Sequence, residues 1–138
     1  MTLVGSLAAA ALCVSAMCGS AVASAVAAAA AVAPCSITYN STMGDYMVLQ
    51  QAPALSAVFG AVAGGATSVS VKVTDGAGGS YSVDAVVSGG LWKALLHAAP
   101  AGGNYTVAAT ATCSAGQASA VISNVVFGDV WYCGGQSA

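Results

Sequence analysis

Charged side chains are almost absent from this sequence. Its 138 residues include two lysines and four aspartates but neither arginine nor glutamate, so only 4% are charged and the formal net charge is −2. Soluble domains usually carry roughly 25% charged residues. Nucleic-acid binding requires a basic surface that neutralises phosphates, and two lysines cannot provide one. The composition therefore excludes nucleic acid as a partner.

Residues that bind metals and cofactors are equally scarce. His97 is the single histidine, and one imidazole cannot build a typical zinc site. The cysteines show no metal-ligand spacing. The glycine-rich turns lack the spacing of a phosphate-binding loop and no helix follows them. We therefore predict neither a metal nor a cofactor.

The amino-terminal residues are uncharged and mostly apolar up to Pro34. The small-x-small pattern Ala21-Val22-Ala23 is typical of a signal-peptide cleavage site, although no basic residue precedes the apolar run. We interpret residues 1–33 as a secretory leader. This predicts a secreted or lumenal protein, lysosomal or extracellular, without membrane association once the leader is removed. A retained membrane anchor is the alternative, because the run exceeds the roughly 20 residues that span a bilayer.

Sequons and cysteines fit a secretory route. The sequons at Asn40 and Asn104 predict glycosylation at exposed sites. Three cysteines remain beyond the leader, Cys35, Cys113 and Cys133, and an odd number leaves one thiol unpaired. We expect Cys133 to be a buried free thiol on a strand, with Cys35 and Cys113 as a candidate disulfide. Three free thiols are the alternative.

Apolar and polar residues alternate in two neighbouring stretches. Valines alternate with polar residues from Thr67 to Thr74, and the same period of two returns from Ser80 to Val87. This period is typical of strands with one buried and one solvated face. Residues 75–79 between them are rich in glycine, which readily adopts positive φ. The two stretches therefore predict a β-hairpin.

The remaining apolar runs are short and separated by turn residues. Strands are predicted at 47–49, 56–62, 91–96, 105–112 and 118–126, and a loop at 36–44. Connections of this length favour hairpins over crossovers, which need a dozen or more residues. Residues 34–126 are therefore predicted to form an all-β domain, an antiparallel β-sandwich of the jelly-roll or immunoglobulin type.

The last twelve residues, 127–138, run from an apolar stretch into a glycine turn that presents Ser137. A serine that follows a strand and a tight turn suits a nucleophile, because the turn pushes its hydroxyl out of the sheet. A frayed tail is the alternative.

Three stretches together resemble the sialate O-acetylesterase family. Residues 45–50, D-Y-M-V-L-Q, are similar to its D-x-M-V-L-Q motif. Residues 102–107, G-G-N-Y-T-V, are similar to a G-G-P-Y-T-L segment, and 126–137 resemble a block that reads F-G-D-V-W-L-C-S-G-Q-S-N-M. Gly134 replaces a serine of this block, and Ala138 stands where its asparagine is expected.

The resemblance implies a small β-sandwich followed by an esterase domain of the α/β SGNH hydrolase type. Residues 127–138 would then be the first strand and the nucleophile turn of a truncated hydrolase domain. Ser137 would be the nucleophile and its backbone N–H part of the oxyanion hole, and we predict that Gln136 contacts the substrate. The substrate would be an O-acetylated sugar, hydrolysed through an acyl-serine.

The Asp–His pair of such an esterase would lie downstream, so the chain alone is expected to be inactive. A stand-alone secreted β-sandwich that binds glycans or proteins is the alternative, and a truncated gene product is a third hypothesis. The oligomeric state is left open.

Other candidate residues receive structural roles. His97 is expected in a loop, because the family's histidine follows the serine in sequence. Asp129 is assigned to a strand end, and the remaining aspartates to turns, caps or solvated strand faces: Asp45, Asp75 and Asp84. The large aromatic residues are expected to fill the core, with a sugar-stacking platform as the alternative: Trp92, Trp131, Tyr81 and Tyr105.

Overall fold

The computed structural model describes residues 33–135, and every regular element in this range is a β-strand. The strands are β1 (Ser36–Tyr39), β2 (Val48–Gln50), β3 (Ala57–Ala63), β4 (Ala66–Thr74), β5 (Ser80–Ser88), β6 (Leu91–Leu95), β7 (Gly102–Cys113) and β8 (Gly116–Gly128). The prediction of an all-β, sandwich-like fold is confirmed. Within residues 33–135 no helix is long and apolar enough to cross a membrane. The predicted leader lies outside the described residues.

The eight strands form one sheet in the order β1-β3-β6-β5-β4-β7-β8-β2. Strand β5 belongs to both halves of this sheet. Its residues 80–85 pair with β4, whereas its residues 86–88 pair with β6. The sheet curls, so that β1 lies against β7, where the Tyr39 hydroxyl donates a hydrogen bond of 2.9 Å to the Val107 carbonyl. The two halves thus face each other across one apolar core.

The predicted hairpin of β4 and β5 is confirmed, with Val71 opposite Val83 in the register. The prediction of a purely antiparallel sheet is wrong for one pair, because β2 runs parallel to β8. Two strands so far apart in sequence need no hairpin between them, so the short-connection argument did not apply to this pair.

The core is built from inward-facing residues of both halves. Trp92 on β6 is its largest side chain and is 1% exposed. The indole N–H donates to the Thr38 carbonyl at 3.2 Å, and the Tyr39 ring packs edge-on at a centroid distance of 5.3 Å. Burial raises the pKa of Tyr39. The other fully buried large side chains are Leu96, Val58, Val69, Val71, Val73, Val107 and Val125.

The prediction of a loop at 36–44 is wrong for Ser36–Tyr39, which form β1, and holds for residues 40–44. Ile37 is buried and Tyr39 half-buried, while Ser36 and Thr38 face outward, so the polar residues belong to the exposed side of an edge strand. Gly60 on β3 lies opposite Tyr39. A Cβ at Gly60 would overlap the Thr38 carbonyl oxygen and approach the Tyr39 Cα to 2.8 Å, so glycine is what lets β1 pair here.

A disulfide joins the start of β1 to the end of β7. Cys35 and Cys113 are bonded, with their Cα atoms 5.8 Å apart and a sequence separation of 78. The bond therefore connects the first and the seventh strand of the chain across the curled sheet.

Candidate functional site at the end of strand β8

Strand β8 ends between the two other stretches that carry the family resemblance. On one side β2 pairs with it in parallel, with Leu49 opposite Phe127 and Gln50 opposite Gly128. On the other side the start of β7 pairs with it, with Gly102 opposite Phe127. Three segments far apart in sequence thus meet at the point where the chain runs on towards Gln136 and Ser137.

Asp45, in the turn before β2, binds this segment to strand β8. Its carboxylate accepts a hydrogen bond of 2.7 Å from the Ser123 backbone N–H, and the Tyr46 N–H donates to the Ser123 carbonyl at 3.0 Å. The register between β7 and β8 shifts here, and Asn124 has a φ of 57°. These features mark a β-bulge in β8, which Asp45 caps. Asp45, predicted as a loop or cap residue, thus lies in the turn before β2 and accepts a backbone hydrogen bond from β8.

Two glutamines direct the chain as it leaves the sheet. The Gln51 N–H donates to the Gly128 carbonyl at 2.9 Å, and its side-chain Nε2 donates to the Asp129 carboxylate at 2.7 Å. The Val130 N–H donates to Oε1 of Gln50 at 3.0 Å. We call Gln50 and Gln51 the glutamine clamp. It holds Asp129 in the strand-end position that the sequence predicted.

Aliphatic and aromatic side chains pack against one another where β2, β7 and β8 meet. Leu49 and Phe127 are buried, and the Tyr105 ring meets the Phe127 ring edge-on at 5.0 Å. Gly103 has a φ of 80°, and a Cβ there would overlap the Tyr105 ring. The second glycine of G-G-N-Y is therefore required both by the backbone conformation and by the aromatic side chain that follows. Tyr105 packs against the core as predicted.

Beyond Gly128 the described chain contains no strand, and its apolar side chains are exposed. Trp131 is 84% and Tyr132 96% exposed, and Cys133 is a free, exposed thiol. The predictions of a core position for Trp131 and of a buried thiol on a strand for Cys133 are wrong. Strand β2 ends at Gln50 and β7 begins at Gly102, both beside the end of β8, so residues after Gly128 have no neighbouring strand to pair with in the described part of the chain.

The two residues predicted to act on the substrate, Ser137 and Gln136, lie outside the described residues. The roles of nucleophile, oxyanion donor and substrate contact remain predictions.

The other candidate residues occupy structural positions. His97 lies in the loop after β6, as predicted, and its ring stacks on Tyr81 at 4.3 Å with an interplanar angle of 9°. The Tyr81 hydroxyl is buried without a hydrogen-bond partner among residues 33–135, and burial raises the pKa of this tyrosine. Asp75 closes the β4–β5 turn by accepting hydrogen bonds from the Ala77 and Gly79 N–H groups. Residues 33–135 contain no cluster of three or more metal-binding side chains.

Removing one hydrogen bond of the glutamine clamp should loosen residues 129–135, which we call the exit segment. Gln50→Ala deletes the acceptor of the Val130 N–H. A hydrogen bond contributes a net stabilisation of about 1 kcal/mol, so its loss should raise the equilibrium constant for local opening roughly fivefold. We expect hydrogen exchange at Val130 to accelerate by about this factor. Gln117→Ala is the matched control, because Gln117 lies at the start of β8, at the opposite end of the strand from Val130. Equal exchange at Val130 in both variants would contradict the clamp.

Comparison with known proteins agrees with the motif resemblance. The chain is 33% identical over 101 residues to a sialate O-acetylesterase of Rattus norvegicus. This chain is therefore similar to part of a sialate O-acetylesterase. The match covers 72% of the chain but 18% of the rat protein, so the chain spans less than a fifth of that relative's length. No protein-family profile matches the sequence.

A solved structure shares the fold. It is the crystal structure of an engineered protein determined at 1.98 Å resolution, with a TM-score of 0.57 and 28% sequence identity. The superposition covers 71% of this chain and 21% of the other. The β-sandwich described above thus also occurs as a minor part of a longer polypeptide.

Proposed function

We propose that this chain supplies the amino-terminal β-sandwich and the nucleophile segment of a secreted carbohydrate esterase that hydrolyses O-acetyl esters on sugars. The observation that carries the proposal is the 33% identity over 101 residues to the rat sialate O-acetylesterase. The convergence of the three motif stretches at the end of β8 supports it, because it gives those residues a shared structural task.

In the proposed reaction the Ser137 Oγ attacks the acetyl carbonyl carbon. The backbone N–H of Ser137 donates to the oxygen that becomes negative, since charge developing in the transition state is best stabilised by fixed donors. The bond to the sugar oxygen breaks, that oxygen takes up a proton, and the acetyl group remains on the serine. Water then attacks the acyl-serine, which releases acetate and restores the hydroxyl.

The general base must come from outside this chain. A serine hydroxyl is a weak nucleophile unless an imidazole lies within hydrogen-bond reach. His97 is the only histidine here, and it lies in a loop where its ring stacks on Tyr81. We therefore assign the base and its orienting acid to sequence downstream of Ala138 in the parent protein.

We assign to the sandwich the role of orienting the nucleophile segment, residues 127–138. The glutamine clamp binds Val130 through Gln50, the last residue of β2, and Asp129 through Gln51, which directly follows it. A catalytic group displaced by about 1 Å can lose roughly 100-fold in rate, so a fixed exit direction matters for catalysis.

The test uses the full-length product of the gene that encodes this chain. We expect it to release acetate from O-acetylated sialic acids, and Ser137→Ala to lower kcat/KM by about 10³-fold or more, as loss of a serine nucleophile does. Ser119→Ala, an exposed serine on β8, is the matched control and should keep full activity. A reading frame without a downstream Asp-x-x-His motif, or activity retained in the Ser137 variant, would refute the proposal. The 138-residue chain alone should not react with an active-site serine probe.

A further inference from the structure

Strands β3, β6 and β5 expose apolar side chains on the side of the sheet that faces away from the core. Phe59 is 37%, Leu91 63%, Leu95 51% and Val86 75% exposed. They line an open groove of about 1020 Å³, in which Asp84 and Lys93 are the charged residues. We call this surface the outer groove. Contiguous exposed apolar surface usually marks a site that something covers.

The sheet register places Asn40 at one end of this groove. The Asn40 N–H donates to the Phe59 carbonyl at 3.0 Å, which continues the β1–β3 ladder by one residue. Phe59 lies opposite Lys93 on β6, and Lys93 lies opposite Val86 on β5. Side chains opposite one another on antiparallel strands share a face at about 5 Å. Asn40, Phe59, Lys93 and Val86 therefore form one row across the outer groove.

The side chain of Asn40 is held in a turn by its own sequon. Its Oδ1 accepts hydrogen bonds from the Thr42 N–H at 3.1 Å and from the Thr42 hydroxyl at 3.0 Å. Both bonds polarise the carboxamide and favour loss of a proton from Nδ2. Among residues 33–135 this Nδ2 donates no hydrogen bond, and Asn40 is exposed. The nitrogen that a glycan would modify is thus accessible, while the oxygen of the same carboxamide is fixed by Thr42.

The second sequon has a different geometry. Asn104 lies within β7, and its Thr106 is paired with Thr74 of β4. In the described structure no hydrogen bond joins the Asn104 side chain to Thr106. Asn104 is also remote from the outer groove, which contains no residue of β7.

We propose that Asn40 carries an N-linked glycan whose first sugars lie over Phe59 and cover the outer groove. In the transfer step Nδ2 of Asn40 bonds to the anomeric carbon of a lipid-diphosphate-linked oligosaccharide. The bond from that carbon to the diphosphate oxygen breaks, the lipid diphosphate leaves with the electron pair, and one amide proton passes to a base of the transferase. The apolar face of the first sugar ring then packs on the phenyl ring, while its hydroxyl groups face water.

The occupancy of Asn40 is tested with the full chain secreted from a eukaryotic cell. A heterologous signal peptide precedes it, and a carboxy-terminal tag with its own sequon reports delivery to the secretory lumen. We expect a glycan on Asn40 in more than about half of the molecules by glycopeptide mass spectrometry. Asn40→Gln and Thr42→Ala should abolish it, whereas Thr42→Ser and Asn104→Gln should retain it. An unmodified Asn40 in molecules with a glycosylated tag would overturn the proposal.

Coverage of the groove has a separate readout. We expect hydroxyl-radical labelling of Phe59 and Leu91 to be about threefold lower in the glycosylated chain than in Asn40→Gln, because the sugars exclude solvent from exposed apolar surface. Trimming the glycan to its first sugar should preserve the protection at Phe59. Equal labelling with and without the glycan, or protection that depends on protein concentration and so reflects a second copy of the chain, would overturn this part. Neither experiment depends on esterase activity.

Discussion

Replacing Cys35 and Cys113 together by alanine is expected to lower the free energy of unfolding by about 4 kcal/mol. The disulfide closes a loop of 78 residues, and in the chain-entropy treatment a loop of this length restricts the unfolded state by roughly that amount. The double replacement avoids leaving one unpaired thiol beside the core, where Cys113 is 6% exposed. Urea or guanidinium unfolding monitored by tryptophan fluorescence measures the difference.

Cys133→Ala is the matched control, because its thiol is free and exposed. It should change the free energy of unfolding by less than about 0.5 kcal/mol, as surface substitutions usually do. A double variant whose stability falls by less than about 1 kcal/mol would show that the bond contributes little to the folded chain. Addition of a reductant to the unaltered protein should reproduce the loss.

Trp92→Ala is expected to lower the free energy of unfolding by about 4 kcal/mol, within the range for truncating a buried aromatic side chain. Trp92 is 1% exposed and packs against the Tyr39 ring. Its removal leaves a cavity and takes away the N–H that donates to the Thr38 carbonyl at 3.2 Å. Strand β1 loses its main contact with β6, so its amides should exchange faster with solvent than those of β4.

The second tryptophan provides the control. Trp131 is 84% exposed, so Trp131→Ala should change the stability of the sandwich by less than about 0.5 kcal/mol. Similar losses in both variants would mean that the exit segment packs against the sandwich, and would contradict the exposure described for Trp131. Thermal unfolding followed by circular dichroism gives both values under one set of conditions.

The alternation of apolar and polar residues predicted the strands that have one buried face and one solvated face. Val69, Val71 and Val73 alternate with polar residues from Ser68 to Thr74 on β4, so the period of two is clear there. Strand β1 escaped prediction because it has four residues and turns only Ile37 and Tyr39 inwards. Its polar residues were interpreted as a loop, although they are the exposed side of an edge strand. The parallel pairing of β2 with β8 depends on contacts that no local pattern encodes.

The motif resemblance indicated the residues of the candidate site, but it did not predict their exposure or the hydrogen bonds between them. Trp131 was assigned to the core because aromatic side chains bury large areas, and Cys133 to a buried strand before the serine. They are exposed because they lie beyond the end of β8, where β2 also ends and β7 begins, so no neighbouring strand covers them. The glutamine clamp went unrecognised, although a signal was present. Gln50 and Gln51 carry side chains that both donate and accept hydrogen bonds, and they follow an apolar run in which such groups are otherwise absent.

The parallel pair of β2 and β8 has a consequence for the order of events during synthesis. The clamp joins Gln51 to Asp129 across 78 positions, so β2 emerges from the ribosome long before its partner exists. Pairings this distant in sequence close late in folding, because their loop entropy must be overcome first. The direction of the exit segment is therefore set only when the sandwich is complete. Any chain that continues beyond Gly128 would therefore have a fixed starting point only after the sandwich has folded. The two parts would fold one after the other.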